Sequence, residues 1–410
     1  MEEISTGPPN PWMQGIKRIA KLLLHQWLLL GIGVVCVLAY FFPNVAKHGG
    51  TIRSEYSIMY GVIAIIFLIS GLSIPRQKLF SHFLNWRLHL VVQVISFLFI
   101  PALVLAVVHI ILAGDPGGKI DRAVLAGYIF TACIPTTIAS NVVMTRAAGG
   151  DDAAALVEVL IANILGPFVT AAWTVVLIPK TAEFDLWRFG GGGLGSMYKD
   201  VFQQLGLSVL LPLFVGQIVR WTWPDRTAWV LLKTKLPKWA SVCMLLLIWS
   251  TFSSCFATGA LQSLSAQSVI FVVLFNIALY IFLTLVCFIG SRPPRILGSR
   301  KWSEPMFKCM SPEETIAVCF CGPAKSTALG IPLLYAMWKP IDLYTKSKTS
   351  VPVLLYTTEQ ICVAHFFVQL FRRWHARLVE KEHVEYAGDA ETGMAEVGHE
   401  NHITRENSIV

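Results

Sequence analysis

CGPAKSTALGIP, residues 321–332, lies inside an apolar segment spanning residues 315–338, yet it holds a lysine, two prolines and two glycines. A charged side chain at mid-membrane depth is unfavourable by roughly 3 kcal/mol on insertion scales and by more in simulations. Ionisable residues at that depth therefore turn toward the protein interior or a watered cavity, and they mark a site. Proline removes an amide donor and strains the turn before it. The segment reads as a helix broken at Gly322 and Pro323, with Lys325 at the break.

The rest of the chain supplies the setting. Of its 410 residues 55% are hydrophobic and 14% charged, with a mean hydropathy of +0.61. Soluble domains run near a quarter charged, so composition alone indicates a membrane protein. Closed barrels would show short alternating strands, whereas these apolar runs approach or exceed the roughly 20 residues a spanning helix needs. Ten segments stand out, near residues 25–43, 56–75, 88–112, 122–144, 152–179, 200–222, 237–258, 267–290, 314–338 and 349–371. The fold class is an all-α polytopic membrane protein.

With the amino terminus in the cytoplasm, 22 of the 33 Lys and Arg fall on the inside and 10 outside, Lys325 being the remaining one. That excess places both termini in the cytoplasm. It also accounts for the net charge of +8 without nucleic acid. The domain reading is a cytoplasmic segment 1–24, a first five-helix repeat 25–179, a Gly-rich extracytoplasmic loop 180–199, a second repeat 200–371 and a polar, disordered cytoplasmic tail 372–410. An odd number of helices per half forces the halves into opposite orientation, a plan common in secondary transporters. IPTTIASNVV (134–143) and GPAKSTALGIP (322–332) echo each other in the fourth helix of each half. Interrupted helices at matched positions point to a midplane site.

Pro135 and Pro323 then break their helices, exposing carbonyls and half-helix dipole ends that bind ions and anionic groups. Ser140 and Asn141 add neutral oxygen ligands, and Ser326 and Thr327 flank the second break. The competing reading is a kinked helix whose small polar residues serve packing. Glu158 is the other intramembrane charge: it binds a cation, carries a proton, pairs with Lys325, or lies near the helix end at headgroup depth. Asp151 and Asp152 read as first-turn acids complementing the helix dipole. Asn163, Gln93 and the Glu359–Gln360 pair are further buried polar candidates, each equally an interhelical hydrogen bond.

Other chemistry is absent from the pattern. GGGGLG lacks the Lys-Ser/Thr of a phosphate loop, and there is no zinc-protease helix or nucleophile elbow, which argues against an enzyme and against a bound cofactor. The nine cysteines follow no metal or disulfide spacing. The first apolar run follows a polar lead of about twenty residues, unlike a cleavable signal peptide.

IFLISGLSIP (66–75), QVISFLFIP (93–101), IPTTIASNVVMTRAAGGD (134–151), LLPLFVGQIVR (210–220) and VPVLLYTTEQ (351–360) together resemble the bile acid/sodium symporter superfamily. The likeness covers residues 20 to 375. It is strongest to the branch holding the seventh member of solute carrier family ten and its fungal relatives. The resemblance implies two inverted five-helix repeats arranged as panel and core domains, with the fourth and ninth helices crossing at unwound centres. Sodium-coupled relatives bind ions there through a Ser-Asn pair, matched by Ser140 and Asn141, and a Glu-x-Gly-x-Gln-Asn pattern. Here Cys321 falls at the Glu, Pro323 at the Gly, Lys325 at the Gln and Ser326 at the Asn.

An ammonium where a sodium ligand should sit repels sodium by several kcal/mol at low local dielectric. Lys325 either substitutes for a bound cation or carries a proton, and in both cases plain sodium symport of bile acids is not expected. It is placed at the crossing, facing Ser140 and Asn141. The partners expected are the lipid bilayer and an unidentified small solute or ion, an organic anion coupled to a proton or cation being one candidate. The branch is linked to limiting calcium influx and to calcium homeostasis, at the plasma membrane by likeness, with a secretory-pathway membrane as the alternative. The competing function is a non-transporting regulator that signals through partners or its tail.

Overall fold

The computed structural model describes residues 27–73, 84–137, 139–189, 199, 203–204, 206–293 and 309–406. The amino-terminal segment 1–24, most of the Gly-rich loop, and the basic stretches within 74–83 and 294–308 lie outside the described residues. Among those described, every regular element is a helix. In chain order the longer ones are α1 (Trp27–Phe41), α2 (Ser54–Ser73), α3 (Trp86–Gly114), α4 (Arg122–Cys133), α5 (Ala139–Ala147) and α6 (Asp152–Leu177). There follow α7 (Gly206–Thr222), α8 (Pro224–Thr234), α9 (Leu236–Ala257), α10 (Ala266–Ser291), α11 (Pro312–Cys321), α12 (Thr327–Met337) and α13 (Leu343–Glu406).

Six are long and apolar enough to cross a membrane: α2, α3, α6, α9, α10 and α13 up to Glu380. Four shorter apolar helices are Leu30–Phe41 within α1, α4, α7 and α12. Each of the ten apolar sequence segments holds one of these. The short ones include the two segments with prolines at their centres, where one helix of spanning length is divided into α4 and α5, and another into α11 and α12.

Helix starts follow the capping residues. Asp121 caps α4 by accepting from the Ala123 amide at 2.9 Å, and Asp151 caps α6 by accepting from Ala153 and Ala154. Ser311 and Glu314 form a reciprocal capping box at α11, with Pro312 in the first turn. Side-chain oxygens at these positions satisfy amides that have no intrahelical acceptor. Asp152 pairs with Arg146 at the end of α5, so the α5–α6 turn is tied at both sides.

The helices sort into two groups by contact. Helices α1, α2, α7 and α9 touch one another, while α3 to α6 and α10 to α13 form a second, larger group. Contacts of α9 with α13, α12 and α5, and of α1 with α13, join the two. The second group buries both breaks.

Helix α3 carries an internal irregularity that matters below. Residues Ile95–Phe99 form a π-turn, in which the Ile100 amide bonds back to the Ile95 carbonyl, five residues earlier. An ordinary α-turn would have directed that amide to Ser96, and the next residue, Pro101, has no amide to offer. The Ser96 carbonyl is therefore left without a partner inside its own helix.

Candidate functional site

The first break opens because Pro135 cannot donate to the turn before it, so α4 stops at Cys133 and five successive carbonyls lose their helical partners. Buried carbonyls must be paired, and each of these is. The Cys133 carbonyl accepts from Thr170 Oγ1 at 2.8 Å, and the Pro135 carbonyl from the Ser326 amide at 2.9 Å. The Thr136 carbonyl accepts from Asn163 Nδ2 at 3.1 Å. The remaining two, Ala132 and Ile134, accept from Lys325 Nζ at 2.8 and 2.9 Å. The same nitrogen donates to the orphaned Ser96 carbonyl at 2.9 Å, with Ser96 Oγ a longer contact at 3.3 Å.

Lys325 is only 1% exposed, and three carbonyls surround its head. Carbonyl oxygens only accept, so three of them at bonding distance require three N–H groups; the ammonium has three and the neutral amine two. The three contacts match the donor number of an ammonium. Its setting is that of a metal cation, a positive centre held by backbone oxygens of α3 and the end of α4.

The second break is clamped from α13. Gln360 Oε1 accepts from the Lys325 amide at 2.9 Å, and its Nε2 donates to the Lys325 carbonyl at 2.8 Å. Tyr356 OH donates to the Pro323 carbonyl at 2.7 Å, and Thr327 hydrogen-bonds Thr357. Close approach is possible because the right positions lack side chains. A Cβ on Gly166 would lie 2.6 Å from Pro135 Cγ, and one on Gly322 would collide with Cys287 Sγ.

Ser140 and Asn141 are buried at the start of α5 and line a narrow crevice, about 10 Å³ of free space, with Met144, Tyr280, Phe320 and Gln360. Asn141 Nδ2 donates to Thr136 Oγ1 at 2.6 Å. The expectation that Lys325 faces Ser140 and Asn141 is corrected: its backbone neighbour Ala324 lines the crevice, but its ammonium points into the α3–α4 carbonyls. The unpaired carbonyls of the break draw the charge that way.

The alternative that pairs Glu158 with Lys325 is also corrected, since the Lys325 ammonium is held by carbonyls instead. Glu158 is fully buried, and its carboxylate binds His89 Nδ1 through Oε1 and Gln93 Nε2 through Oε2, the latter at 3.0 Å. Gln93 also donates to the Glu158 carbonyl at 3.2 Å, while its Oε1 is buried with no partner. Asn163 spends its amide on Thr136 and Val159 and leaves Oδ1 buried and unpaired. Glu359 does not share the site of its neighbour Gln360. Roughly 100° around the helix, it is half-buried beside Asn276 of α10. The structure thus brings Pro135, Ser140, Asn141, Asn163, Gly322, Pro323, Lys325, Ser326 and Thr327 to one crossing. Gln93 and Glu158 form an adjoining cluster, and Glu359 stands apart.

Among the residues that sequence reading did not single out are Ser96 and His89. For Ser96 a signal existed, the proline five residues later in QVISFLFIP. His89, Gln93 and Ser96 sit at i, i+4 and i+7 on α3 and so form one face. That face meets Glu158 at one end and Lys325 at the other.

A family model described as the SBF-like CPA transporter family matches residues 26–373, the whole of the region that holds both breaks. The chain belongs to this family. Solute carrier RCH1 of Candida albicans is 39% identical over 392 residues, covering 91% of this chain and 95% of that protein. Solute carrier RCH1 of Saccharomyces cerevisiae is 39% identical over 375 residues, 87% of this chain and 86% of its own. Sodium/bile acid cotransporter 7 of Mus musculus is 28% identical over 360 residues, 87% of this chain and 95% of its own. As a member of the SBF-like family, the chain is an integral, multi-pass membrane protein of the transporter class, related to carriers rather than to enzymes. Its partners are the bilayer and a transported solute or ion.

Proposed function

We infer that this protein is a solute carrier built as two inverted five-helix repeats. In this reading the Lys325 ammonium permanently occupies the place a bound sodium ion takes in coupled relatives. The observation that carries it is the cage of Ser96, Ala132 and Ile134 carbonyls around Nζ. A cation-binding cage already filled by a tethered cation gains nothing from sodium, so solute movement does not draw on the sodium gradient. No carboxylate pairs with Lys325 among the described residues. The uncompensated positive charge favours a small organic anion in the Ser140–Asn141 crevice, since fields act strongly at low dielectric.

The physiological role proposed is negative regulation of calcium influx and calcium homeostasis at the plasma membrane, with both termini cytoplasmic. It rests on the branch resemblance alone. The test is reconstitution of purified protein in liposomes with a panel of organic anions, comparing sodium chloride with choline chloride outside. Equal uptake in the two salts is the expected result. Strict sodium dependence would refute the tethered-cation reading.

A further inference from the structure

The stretch joining α7 to α9 takes no part in either break. Residues 220–239, RWTWPDRTAWVLLKTKLPKW, hold five Lys or Arg, four Trp and a single acid, Asp225. We propose that α8, at the centre of this stretch, is a docking surface for anionic phospholipids and grips their headgroup phosphates in the leaflet where α7 ends and α9 begins.

Position is the first observation. Helix α8 lies between the last turn of one apolar helix and the first turn of another, and it packs on α7, α9 and α2. Pro224 starts it, at the position where a missing amide forfeits no helical bond, and Arg220 at the end of α7 donates to the Pro224 carbonyl at 2.6 Å. At Lys235 the chain takes φ +53 and turns directly into α9. A helix held between the ends of membrane helices sits at headgroup level, the depth at which Trp collects. Trp221, Trp223, Trp229 and Trp239 are all exposed.

The faces of α8 are the second. Thr227 is buried and donates to the Trp223 carbonyl at 2.7 Å, and Leu231, one turn on, is half-buried on the same side. Arg226, Trp229 and Lys233, at i, i+3 and i+7, share the opposite face. Lys233 Nζ stands 4.4 Å from the Trp229 ring centroid. Beside them Leu232 is 80% exposed. An interfacial helix has this layout, with apolar side chains at the acyl boundary and cations among the headgroups.

The cations are also uncommitted. Among the described residues no carboxylate forms an ion pair with Arg226, Lys233, Lys235 or Lys238. An acidic protein would satisfy the charges, but four exposed indoles and an exposed leucine at the ends of membrane helices fit a bilayer better. In the orientation proposed above this is the cytoplasmic leaflet, the one that carries anionic lipid. The three helices that α8 touches all belong to the smaller group. Lipid bound there would hold that group to its leaflet while the larger group shifts against it. No solute is involved, so the surface can be tested apart from the transport reading.

The experiment measures the preference of the full chain for phosphatidylserine over phosphatidylcholine in mixed vesicles, read from quenching of tryptophan fluorescence by brominated acyl chains. Wild type is expected to prefer phosphatidylserine, less so as salt rises. Each basic residue at an anionic surface contributes about fivefold, so Lys233→Gln should lower the preference by about that factor. Arg226→Gln/Lys233→Gln/Lys238→Gln should abolish it, while the charge-keeping Arg226→Lys/Lys233→Arg/Lys238→Arg should retain it. Lys119→Gln/Lys180→Gln, at the opposite ends of the helices, should match wild type. Equal affinity for the two lipids in wild type, as a surface made for an acidic protein would show, overturns the proposal. So does a preference that survives in the triple glutamine variant. A preference abolished when inorganic phosphate replaces chloride at constant ionic strength would mark a free-phosphate site and overturn it too.

Discussion

Removing the Lys325 side chain tests the cage directly, because the cage can then be refilled. Lys325→Ala strands the Ser96, Ala132 and Ile134 carbonyls in a buried pocket. Each stranded polar group costs about 1–3 kcal/mol, so the three together cost roughly 3–9 kcal/mol. Against this, an ammonium no longer has to be buried, which returns about 3 kcal/mol on insertion scales. The net expectation is a loss of about 3 kcal/mol, read as a lower midpoint in thermal unfolding in detergent. Ammonium ion is the fragment that was removed, and the N–O distances of 2.8 to 2.9 Å suit it, or potassium, better than the smaller sodium ion. Stabilisation by a ligand follows RT ln(1 + [L]/Kd), about 1.4 kcal/mol at a tenfold excess over Kd. The variant's midpoint should therefore rise with ammonium or potassium chloride and stay flat in choline chloride, while the wild type responds to none of them. A variant as stable as wild type, or one indifferent to every small cation, would refute the idea that the ammonium occupies a cation site.

Two further outcomes follow from hydrogen bonds at fixed places. Gln360→Leu removes both bonds to the Lys325 backbone and leaves a buried amide and carbonyl unpaired, so it should destabilise by about 2–6 kcal/mol in the same unfolding assay, whereas Glu359→Leu should cost much less. In the loop after α3, the Ile120 and Lys119 amides bond the Asp115 carboxylate and hold it below the usual carboxylate range. A depressed acid contributes stability above its unfolded value of about 3.9 and loses it as pH falls through the folded value. Asp115→Asn should therefore be less stable than wild type at neutrality, and the difference should close as pH falls below that value.

How much of this could be read beforehand depends on the range of the interaction. Pro135, Gly322, Pro323 and Lys325 are local signals: a missing amide and a charge in an apolar run mark a break wherever the helix lies. The direction of the Lys325 head was not legible, because it depends on carbonyls 191 to 229 positions away in the chain. The receptor at Ser96 exists only because a π-turn and Pro101 together free one carbonyl, and hydropathy is blind to such a turn. Glu158 read as ambiguous for the same reason, since its partner His89 is 69 residues distant. Between Glu359 and Gln360 a sequence cannot choose; the angular position of α13 does.

The Lys325 nitrogen ties three pieces of chain at once: the middle of α3, the end of α4 and the link between α11 and α12. It acts as a rivet at the centre of the larger helix group. Sliding those helices past one another would pull a charge off three oxygens in a dry interior, so they travel as a block. The compliant seam is then the boundary where α9 meets α5, α12 and α13. Alternating exposure of the crevice would proceed by movement along that seam, with the riveted break carried through the membrane intact.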